Sequence, residues 1–213
     1  MNCIFDIDGT LMDIEHRRHF VEDSKEVKSL KEALDNNLLE IEGDEWIFLT
    51  NKIKELSVKK DWKSFIDNIK YDIPNKLVAS IMCELNNHNN SMFFLTGRNE
   101  ASRDITIKQI EECGYDHQRQ AYEVRPKDDI ECIYYPDTHY DNILFMRPDN
   151  DYRPDAEVKS ELFDKIVNTW TFLFNGERGT SFSDTIIFDD RQSVVDMWRS
   201  RGLTCFQVAK GDF

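Results

Sequence analysis

The sequence predicts an α/β fold, a parallel sheet of about five strands flanked by helices, with a helical cap inserted after the first strand. Three observations carry this. Short apolar runs recur along the chain, each ending in a polar cluster. Segments with helical spacing lie between the runs. One long stretch, 14–72, breaks the alternation and carries helix signals only.

The first run covers residues 2–6 and ends in Asp6-Ile-Asp8-Gly9-Thr10. Residues 92–95 repeat the pattern and end in Thr96-Gly97-Arg98, and residues 143–146 end in Arg147-Pro148. Residues 185–188 end in Asp189-Asp190, and residues 203–208 make the fifth run. Short apolar runs bounded by turn signals read as strands buried on both faces. Leu77, Val78, Ile81, Met82 and Leu85 share a helical face, as do Val158, Leu162, Phe163, Ile166 and Trp170. Val194, Val195 and Trp198 form a shorter one. Strands alternating with helices make a parallel sheet, whose ligands bind at the carboxyl ends of the strands.

Within 14–72, Asp23 and Glu26 form a capping-box pattern ahead of Val27, Leu30 and Leu34. Trp46, Leu49, Ile53 and Leu56 make a second face, and Trp62, Phe65, Ile66 and Ile69 a third. The expected organisation is a core of 1–13 and 73–213, a cap of 14–72, and a small irregular or hairpin insertion over 117–140.

The 213 residues carry a net charge of −14, which repels polyanions at long range and disfavours extended, sequence-blind nucleic acid binding. No apolar run is long enough to span a membrane. The five cysteines include no CxxC pair, which argues against a disulfide framework or a zinc site. The chain begins almost at once with a core strand, leaving no signal segment. The expected compartment is therefore cytoplasmic, the host cytoplasm in the case of a phage protein.

Four aspartates stand at strand ends: Asp6, Asp8, Asp189 and Asp190. Converging carboxylates repel unless something neutralises them. An all-oxygen cluster suits Mg²⁺, which binds through few carboxylates together with a phosphate.

FDIDGTL resembles the first motif, DxDx[TV], of the haloacid dehalogenase superfamily. Thr96 matches its second motif, Lys159 its third and Asp189-Asp190 its fourth, in the correct order across nearly the whole chain. The resemblance implies a HAD-like Rossmannoid core. It also implies roles. Asp6 would be the nucleophile that forms an aspartyl-phosphate, and Asp8 the general acid and then base. Thr96 and Lys159 would hold the phosphoryl oxygens. Asp6, the backbone carbonyl of Asp8, and Asp189 would bind Mg²⁺, with Asp190 close by. An acid at Asp8 matches the phosphatases and phosphomutases of the superfamily; its dehalogenases lack one, and its transport ATPases carry Thr.

The C-terminal FDDRQSVVDMWRSRGLTCFQVAKGDF is similar to the end of the phosphatase domain of bacteriophage-type polynucleotide kinase/phosphatase. That family carries an Arg nine residues after the acid/base Asp, here Arg17. Its second motif continues Gly-Arg-Glu, here Gly97 and Arg98 followed by Asn99 and Glu100, so the Glu is displaced by one, and an Asp precedes the third-motif Lys by four, here Asp155. These imply a substrate-binding set of Arg17, Gly97, Arg98 and Asp155. They imply a substrate that is a 3′-phosphorylated nucleic acid end or nucleotide, with no membrane and no obligate protein partner. There are departures. No GxxxxGK[ST] loop is present, so no kinase half of that type is expected, and 21–58 has no counterpart. A small-molecule phosphatase such as a 5′-nucleotidase, and a catalytically idle binding module, are the competing readings.

Overall fold

The computed structural model describes residues 1–36, 41, 43–88, 90–116, 140–173 and 184–211. The hairpin expected within 117–140 lies outside the described residues, except for Tyr140.

The described chain divides into two compact units. One comprises Met1–Asp13 and Ile73–Gly211, and the other Ile14–Asp72. In the first unit, β1 (Asn2–Phe5), β4 (Ser91–Asn99), β5 (Leu144–Arg147), β6 (Thr185–Arg191) and β7 (Thr204–Gly211) form one sheet in the order β5-β4-β1-β6-β7. All four pairings are parallel, so every carboxyl end lies on the same edge. The expectation of a parallel sheet with flanking helices holds. The helices of this unit are α5 (Lys76–Asn87), α6 (Arg103–Glu112), α7 (Tyr140–Ile143), α8 (Asp155–Leu173) and α9 (Gln192–Ser200).

The central strand β1 is buried along its whole length. Its alternate side chains point to opposite faces of the sheet. Ile4 enters a core with Phe93, Leu95 and Ile187, covered by Val158, Leu162, Phe163 and Ile166 of α8 and by Val194, Val195 and Trp198 of α9. Trp198 is fully buried, 5.5 Å from Phe163 in an edge-on contact. On the other face Phe5 stacks on its registered neighbour Phe188, with ring centroids 4.5 Å apart.

A two-stranded antiparallel ribbon, β2 (Met12–Asp13) with β3 (Ile73–Pro74), stands where the chain leaves the first unit and returns. Strands this short give no periodicity from which to read them.

The second unit holds α1 (Glu15–Arg18), α2 (Lys25–Asp35), α3 (Asp44–Leu56) and α4 (Trp62–Asp67), followed by a single 3₁₀ turn, Ile69–Tyr71. The cap of α2 differs from the sequence reading. Ser24, not Asp23, accepts from the backbone N–H of Val27. Asp23 accepts instead from the backbone N–H of Val58 at 2.7 Å and from Lys31 at 2.6 Å, tying α2 to the segment after α3. The predicted apolar faces are narrower than the spacing implied. Phe65 and Ile69 are buried, but Trp62 and Ile66 are exposed; Ile53 is buried, but Trp46 and Leu56 are exposed. In α5, Val78 and Met82 are buried while Leu77 and Ile81 are exposed.

No described helix is long and apolar enough to cross a membrane.

Candidate active site

The registry of β1 builds the site. Phe5 pairs with Phe94 on one side and Phe188 on the other. The backbone N–H of Asp6 still donates to the Phe188 carbonyl at 3.0 Å, which keeps Asp6 in the ladder beside Asp189. Beyond Asp6 the chain turns. Gly9 sits at φ 81°, a left-handed conformation open to glycine at little cost, and its N–H donates to the Met12 carbonyl. Thr10, fully buried within this turn, lies 3.4 Å from Asp6 Oδ2 through its hydroxyl.

Asp6, Asp189 and Asp190 are all buried, and one oxygen from each lies within 4.8 Å of the others. Lys159, from the second turn of α8, extends its ammonium between Asp6 Oδ1 and Asp189 Oδ2, at 2.8 Å from each. Asp155, one helical turn earlier, lies 3.5 Å from the same ammonium. Its carboxylate is also held by Arg147, at 3.0 Å, and faces Arg191 at 3.6 Å.

The electrostatics follow. Burial raises the Asp6 pKa well above the usual carboxylate range; Lys159 pulls it down, but Asp189, Asp190 and Asp155 push with the burial. Burial works against the Lys159 ammonium, yet Asp189, Asp6 and Asp155 together outweigh it and hold its pKa up. Burial likewise opposes ionised Asp155, and Lys159, Arg191 and Arg147 overcome it, so its carboxyl stays below the usual range. The cluster thus carries more negative than positive groups, in a dry setting where an unpaired charge is costly. Its donors are all oxygens, and a hard divalent cation fits them.

Asp8 is turned to a different partner. Arg98 places Nε 2.8 Å and Nη2 2.6 Å from the same Asp8 oxygen. Arg98 is itself fixed from behind: Nη1 donates to Thr106 Oγ1 at 3.1 Å and to Gln109 Oε1 at 2.6 Å, both on α6. Thr96, fully buried, accepts from the Arg98 backbone N–H.

Two glycines are required by packing. A Cβ at Gly97 would overlap the Asp155 carboxylate, and a Cβ at Gly211 would overlap that of Asp190.

Of the ten residues singled out from sequence, the structure groups Asp6, Asp189, Asp190, Lys159 and Asp155 in one network. Gly97 packs against that network, and Arg98 holds Asp8. Arg17 belongs to the second unit. There it is fully buried, with Nε and Nη2 on the two oxygens of Asp72 at 2.6 and 2.7 Å and its guanidinium 4.1 Å from the Phe65 ring. Sequence reasoning did not find Thr106, Gln109, Arg191, Gly211 or Asp72. For Gly211 the signal was a glycine near the end of the last apolar run. The others act through contacts whose geometry no spacing reveals.

Comparison with known proteins agrees with the fold. Two solved structures of the Pnkp1/Rnl/Hen1 complex, one described as an RNA repair complex, contain chains similar to this one. Their identities are 23% and 22%, with TM-scores of 0.50 and 0.52, and each match covers 100% of this chain. This chain spans only 43% and 46% of those chains, less than half their length. A model of the polynucleotide kinase PNKP phosphatase domain matches residues 59–213. That span includes Thr96, Lys159 and Asp189, while Asp6 and Asp8 precede it. The chain therefore belongs to the family of the polynucleotide kinase PNKP phosphatase domain, and it is a phosphatase with the haloacid dehalogenase-like fold.

Proposed function

We propose that this protein hydrolyses the 3′-phosphate of a nucleic acid end, or of a 3′-nucleotide, through an aspartyl-phosphate on Asp6. The observation that carries the reading is the Lys159 ammonium bridging Asp6 and Asp189 at 2.8 Å each, at the ends of neighbouring strands. A nucleophilic carboxylate, a cation and a further carboxylate of the Asp189 type are the parts phosphoryl transfer asks for. Asp6, Asp189 and Asp190 would hold Mg²⁺, with the Asp8 carbonyl as a further ligand. Bound there, the ion would neutralise the cluster and polarise the phosphoryl oxygens.

The roles of the chain's own groups follow. Asp6 attacks phosphorus with one carboxylate oxygen, and the ester oxygen leaves. Asp8 gives that oxygen a proton, then takes one from the water that attacks the acyl-phosphate. Release of inorganic phosphate regenerates the Asp6 carboxylate. Lys159 and Thr96 bind phosphoryl oxygens, and Arg98 keeps the Asp8 carboxyl in place. Asp155 keeps Lys159 in place.

The substrate class draws support from the family and from neighbours in an RNA repair complex. The net charge of −14 favours a small phosphomonoester such as a 5′-nucleotide instead. A panel of 3′-phosphorylated oligonucleotides, 5′-phosphorylated oligonucleotides and mononucleotides, read by phosphate release, separates them. Faster hydrolysis of 3′-phosphorylated ends supports the proposal, and faster hydrolysis of 5′-mononucleotides replaces it with the alternative.

A further inference from the structure

Among the exposed aromatic rings of the second unit, which also include Trp46 and Phe48, are Trp62 at 44% and Tyr71 at 60% exposure. Trp62 and Tyr71 each have a lysine beside them. Lys60 Nζ stands 5.5 Å from the Trp62 ring centre, and Lys70 Nζ stands 5.0 Å from that of Tyr71. Both pairs fall within the stretch 59–71, which holds four lysines and two aspartates in a chain of net charge −14.

An unbroken series of contacts links the two rings. Trp62 meets Phe65 edge-on at 5.7 Å, and Phe65 lies against the Arg17 guanidinium. Arg17 is locked on Asp72, whose Oδ1 lies 3.6 Å from His16 Nε2. The His16 ring in turn meets Tyr71 edge-on at 6.5 Å. The exposed rings are thereby seated on a buried ion pair.

We propose that this surface is a binding platform for single-stranded nucleic acid: bases stack on Trp62 and Tyr71, and Lys60 and Lys70 meet the intervening phosphates. A π-face with a cation at its side is the pairing a nucleotide offers in return, since every base has a flat ring and every linkage a negative charge. A purely apolar protein partner would have no use for the lysines. The contact is short, two rings and two cations, which suits a chain whose wider charge repels polyanions. The proposal rests on the nucleic acid reading of the substrate and assigns a second place of contact, on the second unit.

The test uses the full chain and a fluorescein-labelled single-stranded oligonucleotide of about ten nucleotides with a 3′-hydroxyl, so that no turnover occurs. Binding is read by fluorescence anisotropy. Trp62→Ala and Tyr71→Ala are each expected to weaken binding about tenfold, and Trp62→Phe to bind nearly as the parent does. Lys60→Glu and Lys70→Glu should each flatten the salt dependence by about one counterion. All variants should turn over p-nitrophenyl phosphate at the parent rate. The proposal is overturned if the alanine variants bind as tightly as the parent, or if the parent binds no oligonucleotide. Failure of the 3′-phosphatase reading looks different: ring-dependent binding persists, but the same oligonucleotide carrying a 3′-phosphate releases none.

Discussion

Arg98 holds Asp8 by two nitrogens on a single carboxylate oxygen, at 2.8 and 2.6 Å, and is itself anchored by Thr106 and Gln109. The guanidinium faces the proposed acid/base carboxyl with most of its donors already used. In this arrangement it orients Asp8. General acid–base catalysis by a positioned group contributes about 10²–10⁴ in rate. Arg98→Lys, which keeps the charge but loses the fork, should lower kcat by at least about tenfold with KM little changed. Gln109→Leu should produce a smaller loss in the same parameter. The loss should be greater for an alkyl phosphate than for p-nitrophenyl phosphate, whose leaving group needs little protonation. Steady-state kinetics on the two substrates check this; a rise in KM alone would instead make Arg98 a substrate contact.

Asp6 sets a pH dependence. Its folded pKa is raised by burial and by the neighbouring carboxylates. Between the ordinary aspartate range and its own value, the folded chain holds a proton that the unfolded chain has released. Stability of the metal-free protein therefore falls as pH rises through that window. Mg²⁺ binding favours the ionised carboxylate, so its affinity rises over the same window. The Mg²⁺-induced increase in Tm should widen as pH rises above the ordinary aspartate range. Calorimetry should record proton release on binding. A Tm increase that shrinks with rising pH would contradict the assignment.

Lys159 is the cation at the centre of the cluster, almost fully buried. Replacing it with Met removes the charge and leaves the carboxylates facing one another. Removing one partner of a buried ion pair typically costs about 3–5 kcal/mol. Lys159→Met should lose stability of that order in chelator, recover part of it in Mg²⁺, and turn over no substrate. Denaturant unfolding with and without Mg²⁺ provides the measurement.

Gly97 touches the Asp155 carboxylate so closely that a methyl group has no room. Gly97→Ala should displace Asp155 and, through it, Lys159. Overpacking of this kind costs about 1–3 kcal/mol, and the activity loss should exceed what the stability loss explains. Thermal unfolding and kcat/KM, measured on the same preparation, distinguish the two effects.

How far the sequence reveals this molecule depends on the range of the contact. Asn2–Phe5 reads as a buried strand because its pattern is local, and Asp6 and Asp189 fall side by side because each follows one of the registered pair Phe5 and Phe188. The direction of Arg98 is not local. It is decided by Thr106 and Gln109, one and two turns along a later helix. The pairing of Arg17 with Asp72 spans 55 residues. Trp62, Phe65 and Ile66 share α4, yet only Phe65 of the three is buried. The breadth of an apolar face is set by what packs on it, and spacing alone does not report that.

The central claim is that Asp6 becomes covalently phosphorylated. The direct measurement is rapid acid quench during turnover of a 3′-phosphorylated oligonucleotide in Mg²⁺, followed by peptide mass spectrometry. The account predicts a phosphoryl adduct on the peptide containing Asp6, absent in Asp6→Asn and in excess chelator, with no phosphate released by that variant. Phosphate release by Asp6→Asn at the parent rate, or an adduct on another residue, would contradict it.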